Sequence, residues 1–159
     1  MIRVQAEDFD VGAELKALAI GPDVGAIASF VGVVRGGDVA AMTLEHYAGM
    51  TEKQLATIEA EARSRWPLGE VLIVHRHGRL EPGDNIVLCV ATSAHRAAAF
   101  EACEFLVDWL KTKAPFWKRE EDEAGGDRWV EARHEDDEAS ARWEHDAAAR
   151  WQRDKNAAE

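Results

Sequence analysis

The apolar positions along this chain fall into two kinds of stretch, short near-continuous runs and longer segments spaced at three and four residues. Val24 to Val34 (VGAIASFVGVV) is almost wholly apolar or small and ends at Arg35-Gly36-Gly37-Asp38, a strong turn signal. Ala41 to Tyr47 (AMTLEHY) reads as a returning strand, so the pattern predicts a hairpin with Arg35 at its tip. Val71 to Gly78 and Ile86 to Ala91 are two more apolar runs flanking Glu81-Pro82-Gly83-Asp84, and predict a second hairpin. Phe116 to Glu121 and Asp127 to Ala132 read as short extended pieces around Gly125-Gly126.

Helical spacing appears in three places. Leu55, Ile58 and Ala62 mark a helix to about Arg65, with Thr51 as a plausible N-cap and Pro67 and Gly69 closing it. A second helix is expected from Ala94 or His95 to Leu110, capped by Ser93. Glu101, Glu104, Asp108 and Lys111 share one narrow face of it, so most of this helix should be buried. From His134 the chain turns acidic and alanine-rich, with Trp143, Ala147 and Trp151 on one stripe of a charged helix that docks on its own domain or meets a partner. Strand pairs mixed with helices imply an α+β domain with a largely antiparallel sheet and packed helices, at residues 1–134, followed by an acidic helical tail at 135–159.

Charge narrows the function. At 159 residues and a formal charge of −11, the chain is suited to one domain and unsuited to general nucleic-acid binding. No apolar run approaches the roughly 20 residues that cross a bilayer. The first residues lack the basic and apolar regions of a secretory signal, so a cytoplasmic location is expected. Cys89 and Cys103 lie in apolar or helical patterns outside any CxxC motif and read as buried thiols.

Against that acidity, Lys111 to Arg119 (KTKAPFWKR) holds three lysines and one arginine with no acid. Phe116 and Trp117 set flat apolar faces beside these charges, a surface that would suit a heteroaromatic ring bearing a phosphate. Clustered ammonium groups also lower one another's pKa, which fits a nucleophile or proton carrier, though spacing does not say which lysine. Thr92-Ser93-Ala94-His95-Arg96 brings a strand into a helix N-terminus, where backbone N–H groups, His95 and Arg96 could meet an anion; Arg35 is a third contact. His75 and His77 form an H-x-H pair without a third ligand at motif spacing, so no metal site is assigned. Phosphate-loop, G-x-S-x-G and HExxH motifs are absent from the sequence.

At these residues the chain resembles the large, catalytic subunit family of molybdopterin synthase. The matching pieces are GAIASFVGVVR (Gly25 to Arg35), MTLEHYAGMTEK (Met42 to Lys53), RWPLGEV (Arg65 to Val71), TSAHRAAAFEA (Thr92 to Ala102), LKTKAPFWKRE (Leu110 to Glu120) and GDRWVEAR (Gly126 to Arg133). The resemblance implies an α/β-hammerhead fold and a sulfurtransferase of molybdenum cofactor biosynthesis that needs no metal or cofactor of its own. It implies a homodimer that binds two small ubiquitin-like sulfur-carrier subunits, making a heterotetramer. Each carrier would donate sulfur from a C-terminal Gly-Gly thiocarboxylate to cyclic pyranopterin monophosphate. Carried over by motif, Lys111 and Lys118 are the catalytic pair. Val33, Val34, Arg35, His95, Arg96, Arg119 and Glu120 join those lysines as substrate-binding positions, with Phe30 and Arg133 near the same pocket. The turn after Arg35 is shorter than the polar loop that often follows this arginine in the family.

Two rival readings stand beside this one: a non-enzymatic dimeric module that binds an acidic peptide tail, and a metal-assisted hydrolase using His75 and His77. One geometric expectation also follows. Sixteen helical steps of ~1.5 Å separate His95 from Lys111 by roughly 24 Å, too far for one pterin phosphate to touch both. If they serve one pocket, His95 and Arg96 come from one subunit and the lysines from its twofold mate.

Overall fold

The computed structural model describes residues 1–131 and 133–144. Its elements run β1 (Ile2–Gln5), α1 (Val11–Leu18), β2 (Ala26–Val33), β3 (Val39–His46), α2 (Met50–Arg65), β4 (Val71–Arg76), β5 (Gly78–Leu80), β6 (Asn85–Ser93), α3 (Arg96–Lys113), β7 (Phe116–Asp122) and β8 (Asp127–Val130). A further helix, α4, occupies 134–144 within the described residues.

Among the described residues, eight strands form two four-stranded sheets, ordered β1-β4-β6-β2 and β5-β3-β7-β8. Of the strand pairs among the described residues, only β1–β4 is parallel. The architecture is α+β and antiparallel-rich, as the sequence pattern predicts.

The near-continuous apolar runs of β4 and β6 arise because these two inner strands of the first sheet are covered on both faces. On β4, Val71 and Ile73 face a core shared with α2, α3 and Trp143 of α4, while Leu72 and Val74 face a second cluster with Phe9 and Leu18 of the α1 region. Cys89 and Ala91 of β6 join the first cluster, Leu88 and Val90 the second. A strand buried on both faces loses the polar alternation of a half-exposed one. The buried positions of α2, Thr51, Leu55, Ile58 and Ala62, keep helical spacing and form its inward stripe.

The structure corrects several expectations. Val24–Val34 and Ala41–Tyr47 do not pair as a hairpin: β2 pairs with β6 and β3 with β5 and β7, so the segment holding Arg35 crosses from one sheet to the other. Both strands are apolar and the turn between them is genuine, but apolar patterning names no partner. The second predicted hairpin does form, as β4 against β6, with the short β5 leaving to join the other sheet between them. Thr51 is not the cap of α2. Gly49 holds that place at φ 81°, its N–H donating to the Glu52 carboxylate at 2.6 Å, while Thr51 is buried inside the first turn.

Ser93 does not cap α3 either. It ends β6, its hydroxyl donates to the Pro67 carbonyl at 2.8 Å, and extended His95 stands at the N-cap. Helix α3 runs three residues past Leu110, to Lys113. The predicted extended pieces at its far side are the β7–β8 hairpin. Trp143 is buried and meets Trp66 and Phe105 edge to face, so the described part of the C-terminal helix docks on its own domain. Ala147 and Trp151 lie outside the described residues.

Candidate active site

A cavity of about 660 Å³ opens where α3 runs out over the first sheet. Directly opposed strand residues share a face, so the row Gly32–Val87–His75 continues the helix-facing surface of that sheet beyond its cover. This row, with Phe30 and Cys89, makes the floor. A side chain at Gly32 would crowd the floor, since its Cβ would sit 2.7 Å from a Val87 methyl. The last turns of α3 supply one wall through Leu110 and Lys111, and β7 of the second sheet supplies the other through Phe116, Lys118 and Glu120. Alternation along β7 puts these three on the cavity face and Trp117 and Arg119 on the opposite one.

Cations gather at this seam. Arg35 enters from the crossover between sheets, Lys111 from α3, Lys118 from β7 and Arg133 from the segment leading into α4. Lys111 pairs with Asp136 at 3.1 Å, and Glu120 pairs with Arg128 at 2.8 Å. Burial lowers the pKa of Lys118, the charges of Lys111 and Arg133 lower it further, and Asp136 and Glu120 oppose them. The result is an amine that gives up its proton more readily than an ordinary lysine, beside other fixed cations.

The placement of each predicted site residue is mixed. Phe30, Val33, Arg35, Lys111, Lys118, Glu120 and Arg133 line the cavity together. Val34 does not: it is buried with Leu44 and Leu80, and its backbone bonds to Gly83 and Asp84. Arg119 points away, pairing with Asp127 at 2.9 Å near the Trp129 ring. His95 and Arg96 are exposed at the opposite end of α3 and are absent from the lining. The third lysine, Lys113, leaves the site by helical rotation, lying over Trp109 and pairing with Glu144 at 2.7 Å.

Sequence reasoning missed His75 as a cavity residue. Its ring is buried, stacks on Phe116 at 3.6 Å and donates Nδ1–H to the Arg76 carbonyl at 2.8 Å. The H-x-H spacing was its signal, read there only as a metal motif; His77 instead packs against His46, with ring centroids 4.5 Å apart. Among the described residues no group of three His, Cys, Asp or Glu side chains is placed to hold a metal ion. No described helix is long and apolar enough to cross a membrane.

Comparison with known proteins fits this arrangement. Residues 4–113 match the family model described as MoaE protein. The chain belongs to the MoaE protein family. It is 57% identical over 148 residues to the molybdopterin synthase catalytic subunit of Pseudomonas aeruginosa, covering 90% of this chain and 98% of that protein. The Escherichia coli K12 protein of the same name is 56% identical over 146 residues, covering 89% of this chain and 97% of the relative. Among solved structures, the molybdopterin biosynthesis MoaE protein from Burkholderia ambifaria superposes with a TM-score of 0.79 at 56% identity, covering 90% of this chain and 97% of that one. Molybdopterin synthase from Staphylococcus aureus superposes at 0.75 with 32% identity, covering 81% and 96%. The two-sheet arrangement described above is therefore the MoaE fold, and its cavity lies at the seam of those sheets.

Proposed function

We propose that this chain is the catalytic subunit of a molybdopterin synthase, transferring sulfur from a carrier's C-terminal thiocarboxylate to cyclic pyranopterin monophosphate to form the dithiolene of molybdopterin. The observation that carries the reading is the gathering of Arg35, Lys111, Lys118 and Arg133 around one apolar-floored cavity in a chain of net charge −11. A phosphate is matched by those cations and a flat ring by Phe30 and Phe116. Its membership of the MoaE family supports the same reaction.

In this scheme the small ubiquitin-like partner threads its Gly-Gly end into the cavity. The fixed cations offset the charge of the thiocarboxylate and the phosphate, and Lys118, with its lowered pKa, holds or passes a proton at the reacting carbon. Sulfur arrives with the partner, so no thiol of this chain takes part. Two such chains form the dimer, with one carrier on each. Arg96 and His95 complete the cavity of the twofold mate, which accounts for their distance from the lysines of their own subunit. The reaction belongs in the cytoplasm.

The test is mass spectrometry of the products after the chain is mixed with a thiocarboxylated carrier and cyclic pyranopterin monophosphate. A product carrying two sulfurs on the pterin side chain is expected. Carrier binding without any sulfur-bearing pterin would leave a peptide-binding module and overturn the enzymatic assignment.

A further inference from the structure

The cavity has a cationic rim and an apolar floor, and the floor contains one polar side-chain group whose purpose the scheme above leaves open. His75 is 6% exposed. Donation from Nδ1 to the Arg76 carbonyl fixes the tautomer, leaving Nε2 with a lone pair and no proton. Nε2 has no partner among the described residues, yet it is not one of the nitrogens sealed from solvent, so it opens into the cavity. Stacking on Phe116 at 3.6 Å with 14° between planes holds the ring in that direction.

The other polar groups do not duplicate it. Arg35, Lys111 and Arg133 can only donate. Glu120 and Asp136 can accept but are already engaged by Arg128 and Lys111, and Glu131 is an exposed, charged carboxylate outside the apolar floor. His75 is the one ring-nitrogen acceptor among the described lining residues. Its neighbours keep it so: burial foremost, then the charges of Lys118 on β7, His46 on β3 and His77 after β4, hold its pKa down at about 4 against the partial opposition of the Arg76 carbonyl. A ring protonated at Nε2 would donate; this one accepts at neutral pH.

An unpaired acceptor in an apolar floor, beside flat aromatic walls, recognises a planar ring that presents an N–H. A carbonyl oxygen at the same point would set two lone pairs against each other, and an aliphatic ligand would leave Nε2 unsatisfied. We propose that His75 is a substrate-binding, specificity-determining residue: its Nε2 accepts a hydrogen bond from a ring N–H of the bound heterocycle while the rim cations take the phosphate. The inference rests on the pterin reading and adds to it the contact that selects the ring.

The experiment measures binding of two probes, cyclic pyranopterin monophosphate and inorganic phosphate, to the full chain by calorimetry. His75→Phe keeps a flat ring on Phe116 but has no acceptor, and His75→Gln keeps an acceptor oxygen. The expected result is at least tenfold weaker pterin binding in His75→Phe, a smaller loss in His75→Gln, and phosphate affinity within twofold of wild type in both. In wild-type protein labelled with ¹⁵N-histidine, the His75 Nε2 resonance should move upfield with the pterin and stay in place with phosphate. That measurement decides the matter if His75→Phe does not fold. Unchanged pterin affinity in a folded His75→Phe, equal losses for both probes, or a His75 resonance indifferent to the pterin would overturn the assignment. A wild-type chain that binds phosphate but no pterin would instead overturn the functional reading itself.

Discussion

The ammonium of Lys111, on the last turns of α3, stands 3.1 Å from the carboxylate of Asp136 in α4. Both side chains are partly exposed, so the pair adds little to stability. Its effect falls on ligands, because an anionic substrate must compete with Asp136 for Lys111. Asp136→Asn should therefore leave the melting temperature nearly unchanged and tighten the pterin phosphate by about threefold, a gain of under 1 kcal/mol, measured by calorimetry.

Lys111→Ala and Lys118→Ala should each lower turnover by about 10²-fold or more while the circular dichroism spectrum is preserved, since neither truncation empties the main core. Near-normal turnover in both would remove the lysines from the mechanism. The lowered pKa of Lys118 gives a second reading: its acylation by a small reagent, followed against pH, should have a midpoint below the ordinary lysine range. Lys111→Gln removes a neighbouring cation and should raise that midpoint; Asp136→Asn removes an opposing anion and should lower it further.

His75 also links stability to pH. Its folded pKa of about 4 lies below the 6.5 of an ordinary histidine, so between those values the unfolded chain binds a proton that the folded chain does not. The sign is fixed: this group makes no demand above about pH 6.5, and costs stability increasingly as pH falls, reaching about 3 kcal/mol near pH 4. Urea unfolding at pH 7 and pH 4.5 should show a smaller drop in His75→Phe than in wild type, the other titrations being common to both.

Cys89 is part of the cavity floor but is fully buried, and burial raises its thiol pKa far above neutrality; Cys103 is pushed up to about 11 for the same reason. Neither is a thiolate at working pH. Cys89→Ala and Cys103→Ala should cost about 1 to 2 kcal/mol in denaturant titrations and keep turnover. Loss of sulfur transfer in a folded Cys89→Ala protein would contradict delivery by the carrier.

Mixing two inactive variants tests the shared site. His95→Ala/Arg96→Ala and Lys111→Ala/Lys118→Ala, combined under conditions that exchange subunits, should regain activity, since each mixed dimer holds one intact site. Verified exchange without activity would confine the site to one subunit.

Much of this was legible from residues alone, where local physics decides. Spacing in α2 and α3 and the Gly125-Gly126 turn of β7–β8 are local, and both the helices and the hairpin are found. What failed was partnership. Arg35 was singled out as a hairpin tip and stands instead on a crossover that lines the cavity, because nothing in β2 or β3 says that they lie in different sheets. Lys111, Lys113 and Lys118 were indistinguishable in a basic cluster; two residues of helical rotation carry Lys113 away to Glu144, and two residues of strand bring Phe116 and Lys118 to one face. His75 was visible as a histidine but not as a cavity residue, since its meaning depends on where α3 stops covering the sheet. Val34 and Arg119 entered with neighbours that do line the cavity; Val34 lies just past the end of β2, packed on Leu44 and Leu80, and alternation along β7 turns Arg119 to the other face.

The seam between two sheets that share no strand makes the site a coincidence of assembly. The first sheet alone would present an apolar floor without Lys118, and the second alone would hold Lys118 without a floor. No partly folded form of the chain can bind a ring and a phosphate together, so catalytic competence should appear and vanish with the last cooperative step of folding, in register with the tertiary signal and not with the helices.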